Sequence, residues 1–327
     1  MNKNVLEVLK CIKCGHKLIS INDEYLSCSN CNVRYPTRKG TPIMFFSKKD
    51  TGDTNYELSS LPLSHPDNKF RIGLRKLKIE GFARKLWSFY CNLTAKIVPK
   101  SPHSPDFWLK KIKSAIPVGQ KKILDFGGGE APYKKYLSDN NDLYIVLEVD
   151  IDSHFVNKRL NEHLYVIGDG HDDMFCDNSF DLILMFEVLE HLRNPFTIIE
   201  NCSRWLRPNG LLVISVPQYW HIHGWPNDYF RYTISGVKHL GKINGLELID
   251  YWAMGGPCIL ILCVITLNFH NIFTLPIIKQ IIYYPLLIMA RLFDATFFRN
   301  NLHRQHPDTR GWVAIIKKTN MALVKDD

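Results

Sequence analysis

The sequence predicts an α/β protein, a doubly wound and mostly parallel sheet with a small metal-stapled module in front of it. Three observations predict this. Short apolar runs alternate with amphipathic stretches between residues 121 and 252, the pattern of strands joined by crossover helices. One run, Lys122-Ile123-Leu124-Asp125-Phe126, ends in Gly127-Gly128-Gly129. Two Cys-x-x-Cys pairs stand ahead of it near the N-terminus. A length of 327 residues suits one full α/β domain with smaller appendages. Apolar residues at 46% and charged residues at 22% exclude a disordered chain or a polytopic membrane protein. The formal net charge of +9 favours an anionic partner: a nucleic acid, an anionic glycan or a lipid headgroup surface. The Met1-Asn2-Lys3-Asn4-Val5 start has no apolar run with a cleavage site, so a cytoplasmic protein with reduced cysteines is expected.

The first element is the cysteine module, residues 1–46. Cys11 and Cys14 are separated by thirteen residues from Cys28 and Cys31, a spacing that gives four thiolates to one tetrahedral zinc ion. Lys17 to Ser20 and Glu24 to Ser27 read as two short strands around a turn, a hairpin too small to fold without its metal. The zinc is expected to be structural. Its loss should loosen this module more than the rest, which has a separate core. The string from Cys28 to Pro36, continued by Lys39-Gly40-Thr41-Pro42-Ile43-Met44, resembles the zinc-ribbon family that also occurs ahead of methyltransferase domains; Thr41 departs from its usual apolar residue.

Residues 47–105 follow as a linker, rich in Ser, Asp, Asn, Gly and Pro up to residue 68, and then a basic helical stretch from Phe70 to Tyr90. That stretch either lies on an anionic surface or docks its apolar side on the next domain.

Residues 106–256 carry the chemistry. A strand running into a glycine turn lets backbone N–H groups approach a ligand, and a following helix N-terminus adds partial positive charge. Pro132 falls where a dinucleotide fingerprint requires its third glycine, which disfavours NAD. The segment from Lys121 to Tyr133 instead resembles motif I of the class I S-adenosylmethionine-dependent methyltransferases, with Asp125, Gly127 and Gly129 at its D-x-G-x-G positions and Ala131 at the third glycine. The second strand, Leu143 to Val149, ends at Asp150, 21 residues past Gly129. A carboxylate there can grip both hydroxyls of a ribose, with Glu148 and Asp152 in the same phase as alternatives. After a third strand at 164–167, Asp169 and His171 resemble the family residues beside the adenine. The fourth strand leads into Glu187-Val188-Leu189-Glu190-His191-Leu192, which resembles the "vleHl" segment of the type 11 methyltransferases; Glu187 and its neighbours would line the methionine end. Leu206 to Pro217 matches the family's turn and fifth strand. The resemblance implies a Rossmann-like, seven-stranded methyltransferase sheet, with Leu246 to Trp252 as sixth strand and Gly311 to Lys318 as an inserted antiparallel seventh.

The segment from His221 to Thr233 follows the fifth strand, at the carboxyl edge where substrates of open sheets bind. His221 or His223 is the expected base, Asp228 its orienting partner and Arg231 the grip on an acidic substrate group, unless Arg231 pairs with Asp228 inside a lid. Residues 257–306 form an apolar helical insertion, too interrupted to span a bilayer and suited to a peripheral contact on the inner membrane face, or to a cap or dimer contact. Residues 307–327 return to the sheet. The expected function is methylation of a glycan, a lipid-linked or another small-molecule acceptor. Base methylation of ribosomal or transfer RNA is the second reading, and a non-catalytic cofactor-binding scaffold the third.

Overall fold

The computed structural model describes residues 2–21, 24–45, 105–268, 282–297 and 308–319. The linker at 47–68 and the basic stretch from Phe70 to Tyr90 lie outside the described residues. In chain order the elements are α1 (Lys3–Val8), β1 (Leu18–Ile21), β2 (Tyr25–Cys28), β3 (Arg34–Arg38), β4 (Thr41–Met44), α2 (Pro105–Ala115), β5 (Lys122–Phe126), α3 (Lys134–Leu137), β6 (Leu143–Glu148), α4 (His154–Arg159) and β7 (Leu164–Gly168). They continue with β8 (Phe180–Phe186), a single 3-10 turn (Leu189–His191), α5 (Pro195–Trp205), β9 (Leu206–Pro217), α6 (Ile234–Lys242), β10 (Leu246–Ala253), α7 (Pro257–Asn268), α8 (Tyr284–Phe297) and β11 (Gly311–Lys318).

Among the described residues the sheet has eleven strands in the order β1-β2-β3-β4-β7-β6-β5-β8-β9-β11-β10, not the expected seven. The seven expected strands make one contiguous block, parallel from β7 to β9, with β11 antiparallel between β9 and β10. The other four belong to the cysteine module. Their join is the parallel pairing of β4 with β7, Ile43 opposite Ile167 and Met44 opposite Gly168. Gly168 permits it, since a Cβ there would lie 2.6 Å from Met174 Cε and 3.3 Å from Met44 Cβ. β5, β6 and β8 are near-continuous apolar runs because both their faces are covered. Strand order turns back at β5, whose neighbours β6 and β8 lead away in opposite directions. The crevice outside the carboxyl ends of β5 and β8 is thus the switch point where open sheets hold ligands.

The cysteine module has no separate core, contrary to expectation. Val5, Val8, Leu9, Cys11 and Tyr35 share one buried cluster with Met174, Phe175 and Phe180. Lys10 N donates to Met174 O at 2.9 Å, Cys176 N donates to Val8 O at 2.8 Å, and Lys10 Nζ lies 2.7 Å from Asp173. Apolar residues fall at Val5, Val8 and Leu9 because one side of α1 faces the β7–β8 connection.

The apolar insertion contributes α7 and α8, which pack on each other. Asp294, fully buried on α8, accepts hydrogen bonds from the amides of Gly256, Cys258 and Ile259 at 3.1–3.2 Å. A carboxylate from a distant helix thereby satisfies the orphan donors at the start of α7. Among the described residues, no helix is long and apolar enough to cross a membrane.

Candidate functional site

β5 ends beneath the glycine loop. Gly127 and Gly129 have φ of +66° and +55°, left-handed values that cost a side chain strain. Gly127 N donates to Leu147 O at 2.8 Å and Gly129 N to Glu148 Oε1 at 2.6 Å, while Tyr165 Oη donates to Gly129 O at 2.9 Å. Asp125 lies under the loop, 2% exposed, and accepts the Tyr144 hydroxyl at 2.6 Å. Burial pushes its carboxyl up to about 7, against the stabilising Tyr144 hydrogen bond. The helix expected right after the glycines is displaced. Ala131 takes a left-handed φ of +53° and Pro132 follows, so α3 begins only at Lys134 and has four residues. Its N-terminus is too short and too far along the chain to supply the expected charge.

The three acids of the second strand have separate surroundings. Glu148 is committed to Gly129 N. Asp152 pairs with Arg38 Nη1 of the cysteine module at 2.6 Å. Asp150 is exposed and accepts Asp152 N with one carboxylate oxygen at 2.8 Å. After β7, Asp169 Oδ1 accepts both His171 N, at 3.0 Å, and His171 Nδ1, at 2.6 Å. The buried amide of Asn201 on α5 holds this loop by donating to Gly170 O and His171 O. At the end of β8, Glu187 has φ +53° and is exposed, its Oε1 accepting Ser215 Oγ at 2.8 Å. Its left-handed bend turns the chain from strand into the 3-10 turn.

Sequence reasoning missed an aromatic cluster here. Tyr133 and Phe186 have ring centroids 4.4 Å apart, and Trp108 of α2 lies 5.5 Å from Phe186. Burial, then the Glu187 and Asp125 carboxyls, push the Tyr133 phenol up. Trp108 carried no signal beyond apolar periodicity.

The loop from Gln218 to Thr233 folds onto the 3-10 turn. Tyr229 N donates to Glu190 O at 2.8 Å, His191 Nδ1 meets Asn227 O at 2.6 Å, and Tyr232 Oη donates to Leu189 O at 3.1 Å. His191 and His223 come together as a result, ring centroids 4.7 Å apart, with His221 6.0 Å from His223. Asp228 and Arg231 form a bidentate pair at 2.5 and 2.8 Å. The remaining Arg231 donors go to the carbonyls of Trp220, His221 and Phe230. Arg231 therefore has no donor left for a substrate, which corrects its expected role: it pins the loop. Its guanidinium holds the Asp228 carboxyl well below the usual carboxylate range. Asp228 also accepts His223 N at 2.7 Å and lies 3.4 Å from His223 Nδ1. The adjacent Glu190 is fully buried, and burial pushes its carboxyl up to about 8. Glu190 and His191 were legible only as part of a family string.

In the cysteine module the sulfurs of Cys11, Cys14, Cys28 and Cys31 converge. Cys11–Cys31, Cys14–Cys28 and Cys14–Cys31 are 3.5, 3.4 and 3.5 Å apart. A tetrahedral zinc with bonds of about 2.3 Å has edges of about 3.8 Å. Four unoxidised thiols at this separation fit one such ion.

Residues 124–214 match the family model described as a methyltransferase domain. The chain is 28% identical over 167 residues to the phosphoethanolamine N-methyltransferase of Plasmodium falciparum, covering 44% of this chain and 62% of that protein. It is 33% identical over 113 residues to an uncharacterized methyltransferase of Mycobacterium tuberculosis, covering 34% of this chain and 44% of that one. Among solved structures, Haemonchus contortus phosphoethanolamine N-methyltransferase 2 in complex with S-adenosyl-L-methionine aligns at 16% identity and a TM-score of 0.42, covering 68% of this chain and 54% of that one. The chain spans less than two thirds of the length of these curated relatives. Residues 124–214 are a methyltransferase domain of the S-adenosylmethionine-dependent class.

Proposed function

We propose that the chain transfers the methyl group of S-adenosylmethionine to a small-molecule, glycan or lipid-linked acceptor. The observation that carries this is the glycine loop, held open between Asp125, Glu148 and Tyr165 at the switch point of the sheet. Asp150 holds the ribose hydroxyls, Glu148 positions the loop through Gly129, and Asp169 with His171 flanks the adenine. Glu187 stands at the methionine end beside the Tyr133 ring. In the transfer, an acceptor lone pair forms the new bond to the methyl carbon. The carbon–sulfur bond breaks with its electron pair going to sulfur, and the acceptor proton passes to His221 or His223. The name of the Plasmodium relative supports a small acceptor over a macromolecule. Calorimetry is expected to show cofactor binding by the wild-type chain, weakened in Asp150→Ala by about 1.5–3 kcal/mol, the scale of hydrogen bonds to a charged group. No binding by the wild type, or an unchanged affinity in the variant, would overturn the assignment.

A structural zinc on the four cysteines and a peripheral membrane contact complete the proposal. The second rests on exposed apolar rows at helical spacing: Ile261, Val264 and Ile265 on α7, and Leu286, Met289 and Phe293 on α8. Flotation with anionic liposomes is expected to carry the full-length chain and not a variant with Ile261, Ile265, Met289 and Phe293 changed to Ser. If the wild type stays with the soluble fraction, the membrane contact is wrong.

A further inference from the structure

Glu190 stands out in the described part of the molecule. It is fully buried, and neither carboxylate oxygen receives a hydrogen bond from another described residue. Burying an ionised carboxylate without hydrogen bonds is costly, and the cost is relieved either by taking up a proton or by a cation held against it. Its surroundings are arranged for one. His191 Nε2 lies 3.7 Å and His223 Nε2 3.8 Å from the same Glu190 Oε1, and the three ligand atoms lie within 4.8 Å of one another.

Both rings are oriented from behind. His191 Nδ1 faces Asn227 O at 2.6 Å, and His223 Nδ1 faces His221 O at 3.3 Å and Asp228 Oδ2 at 3.4 Å. A proton on each Nδ1, held by these acceptors, leaves both Nε2 lone pairs aimed at the carboxylate. This is how metal-binding histidines are set by carbonyl and carboxylate partners. Asp228 is itself fixed by Arg231, so the outer layer is closed. The two residues of the 3-10 turn and the one from the 218–233 loop are brought together by the hydrogen bonds between those segments.

We propose that Glu190 Oε1, His191 Nε2 and His223 Nε2 bind one divalent transition-metal ion, with zinc as the probe. Two imidazoles and one carboxylate suit zinc or ferrous iron rather than magnesium or calcium. With nitrogen and oxygen bonds near 2.0–2.1 Å a tetrahedral ion sets its ligand atoms about 3.3–3.4 Å apart, so each Nε2, now 3.7 or 3.8 Å from Glu190 Oε1, needs to close on it by only about 0.3–0.5 Å. The imidazole side chains are 27% and 30% exposed, so the ion keeps open positions towards solvent, unlike the closed cysteine cluster. With His223 a ligand, His221 remains as the base of the proposed transfer. The site does not depend on that reaction.

The test is a zinc count on the full-length chain, stripped with chelator and dialysed to equilibrium against zinc. The His191→Gln/His223→Gln double variant changes partly exposed residues and is expected to fold, checked by circular dichroism. It should bind one zinc equivalent fewer per chain than the wild type. Glu190→Gln should show the same loss. On cobalt substitution both variants should keep the thiolate-to-cobalt charge-transfer band of the cysteine cluster and lose the weaker bands of the nitrogen and oxygen site. Equal zinc counts in the wild type and a folded double variant would overturn the proposal. Because the count is read as a difference, it holds whether or not the cysteines bind metal.

Discussion

Gly128→Ala is expected to weaken S-adenosylmethionine binding by at least about 100-fold while leaving the fold intact. A Cβ at position 128 would sit 2.3 Å from Asp125 Cγ and 2.4 Å from its Oδ2, where ordinary contacts between non-bonded carbons are about 3.5 Å or more. The carboxyl cannot step aside, since Asp125 is 2% exposed and held by Tyr144 at 2.6 Å. Nor can the loop retreat freely, because the Cβ direction of Gly127 points at Val188 Cγ2, 2.7 Å away. The loop must therefore shift by about 1 Å as a piece, taking with it the amides proposed to face the cofactor, and losing about two hydrogen bonds to a charged group, at about 1.5 kcal/mol each, is about 100-fold in affinity. Gly236→Ala is the control, because its Cβ would meet only Thr233 Oγ1 at an ordinary 3.5 Å. Calorimetric titration of both variants is the measurement. An unchanged dissociation constant in Gly128→Ala would mean that this loop does not receive the cofactor.

The same loop shows where the sequence was informative and where it was not. β5, β6 and β8 were legible because strands buried on both faces must be apolar along their whole length, so their boundaries follow from composition. The antiparallel β11 was expected from the family resemblance and lies between β9 and β10. The short α3 was not legible, since nothing local says that Ala131 will adopt φ +53° instead of opening the helix. The sequence allows Arg231 either as a substrate grip or as the partner of Asp228 inside a lid. Only the loop's path, with three carbonyls aimed at one guanidinium, decides for the second. Glu190 and His191 lie about thirty residues from His223 in the chain, and no spacing rule covers ligands joined by a loop folding back. The cysteine module merges with the sheet through two residue pairs of β4 and β7 and through the packing of Leu9 and Lys10 on Phe175 and Met174, matches too short for any periodicity to reveal.

That merging sets the largest stability effect. Removing the proposed zinc from the cysteine cluster, by chelation or by Cys11→Ser, is expected to lower the melting temperature of the whole chain in one transition, by roughly 10 °C or more. Cys11 and Cys28 are 0% and 1% exposed, and Tyr35, fully buried, places its hydroxyl 3.3 Å from Cys11 Sγ and 3.0 Å from Ile12 N. The first knuckle thus continues directly into Leu9 and Lys10, which bridge to Phe175 and Met174. Loosening it opens the face of the sheet on which Phe175 stacks edge-on against Trp205, 5.0 Å between centroids. Structural zinc sites contribute folding free energy outright. At an unfolding entropy of about 2.1 cal/mol/K per residue a chain of 327 residues shifts by about 1.5 °C for each kcal/mol, so 10 °C corresponds to about 7 kcal/mol, below the roughly 10–16 kcal/mol of zinc binding at such sites. Differential scanning calorimetry with and without chelator checks it, alongside elemental analysis of protein purified without chelator. Two separate transitions, the upper one unmoved, would restore the independent module that the sequence suggested. Absence of zinc in the purified protein would instead remove the metal, and the four thiols would then hold their positions by packing around Tyr35 alone.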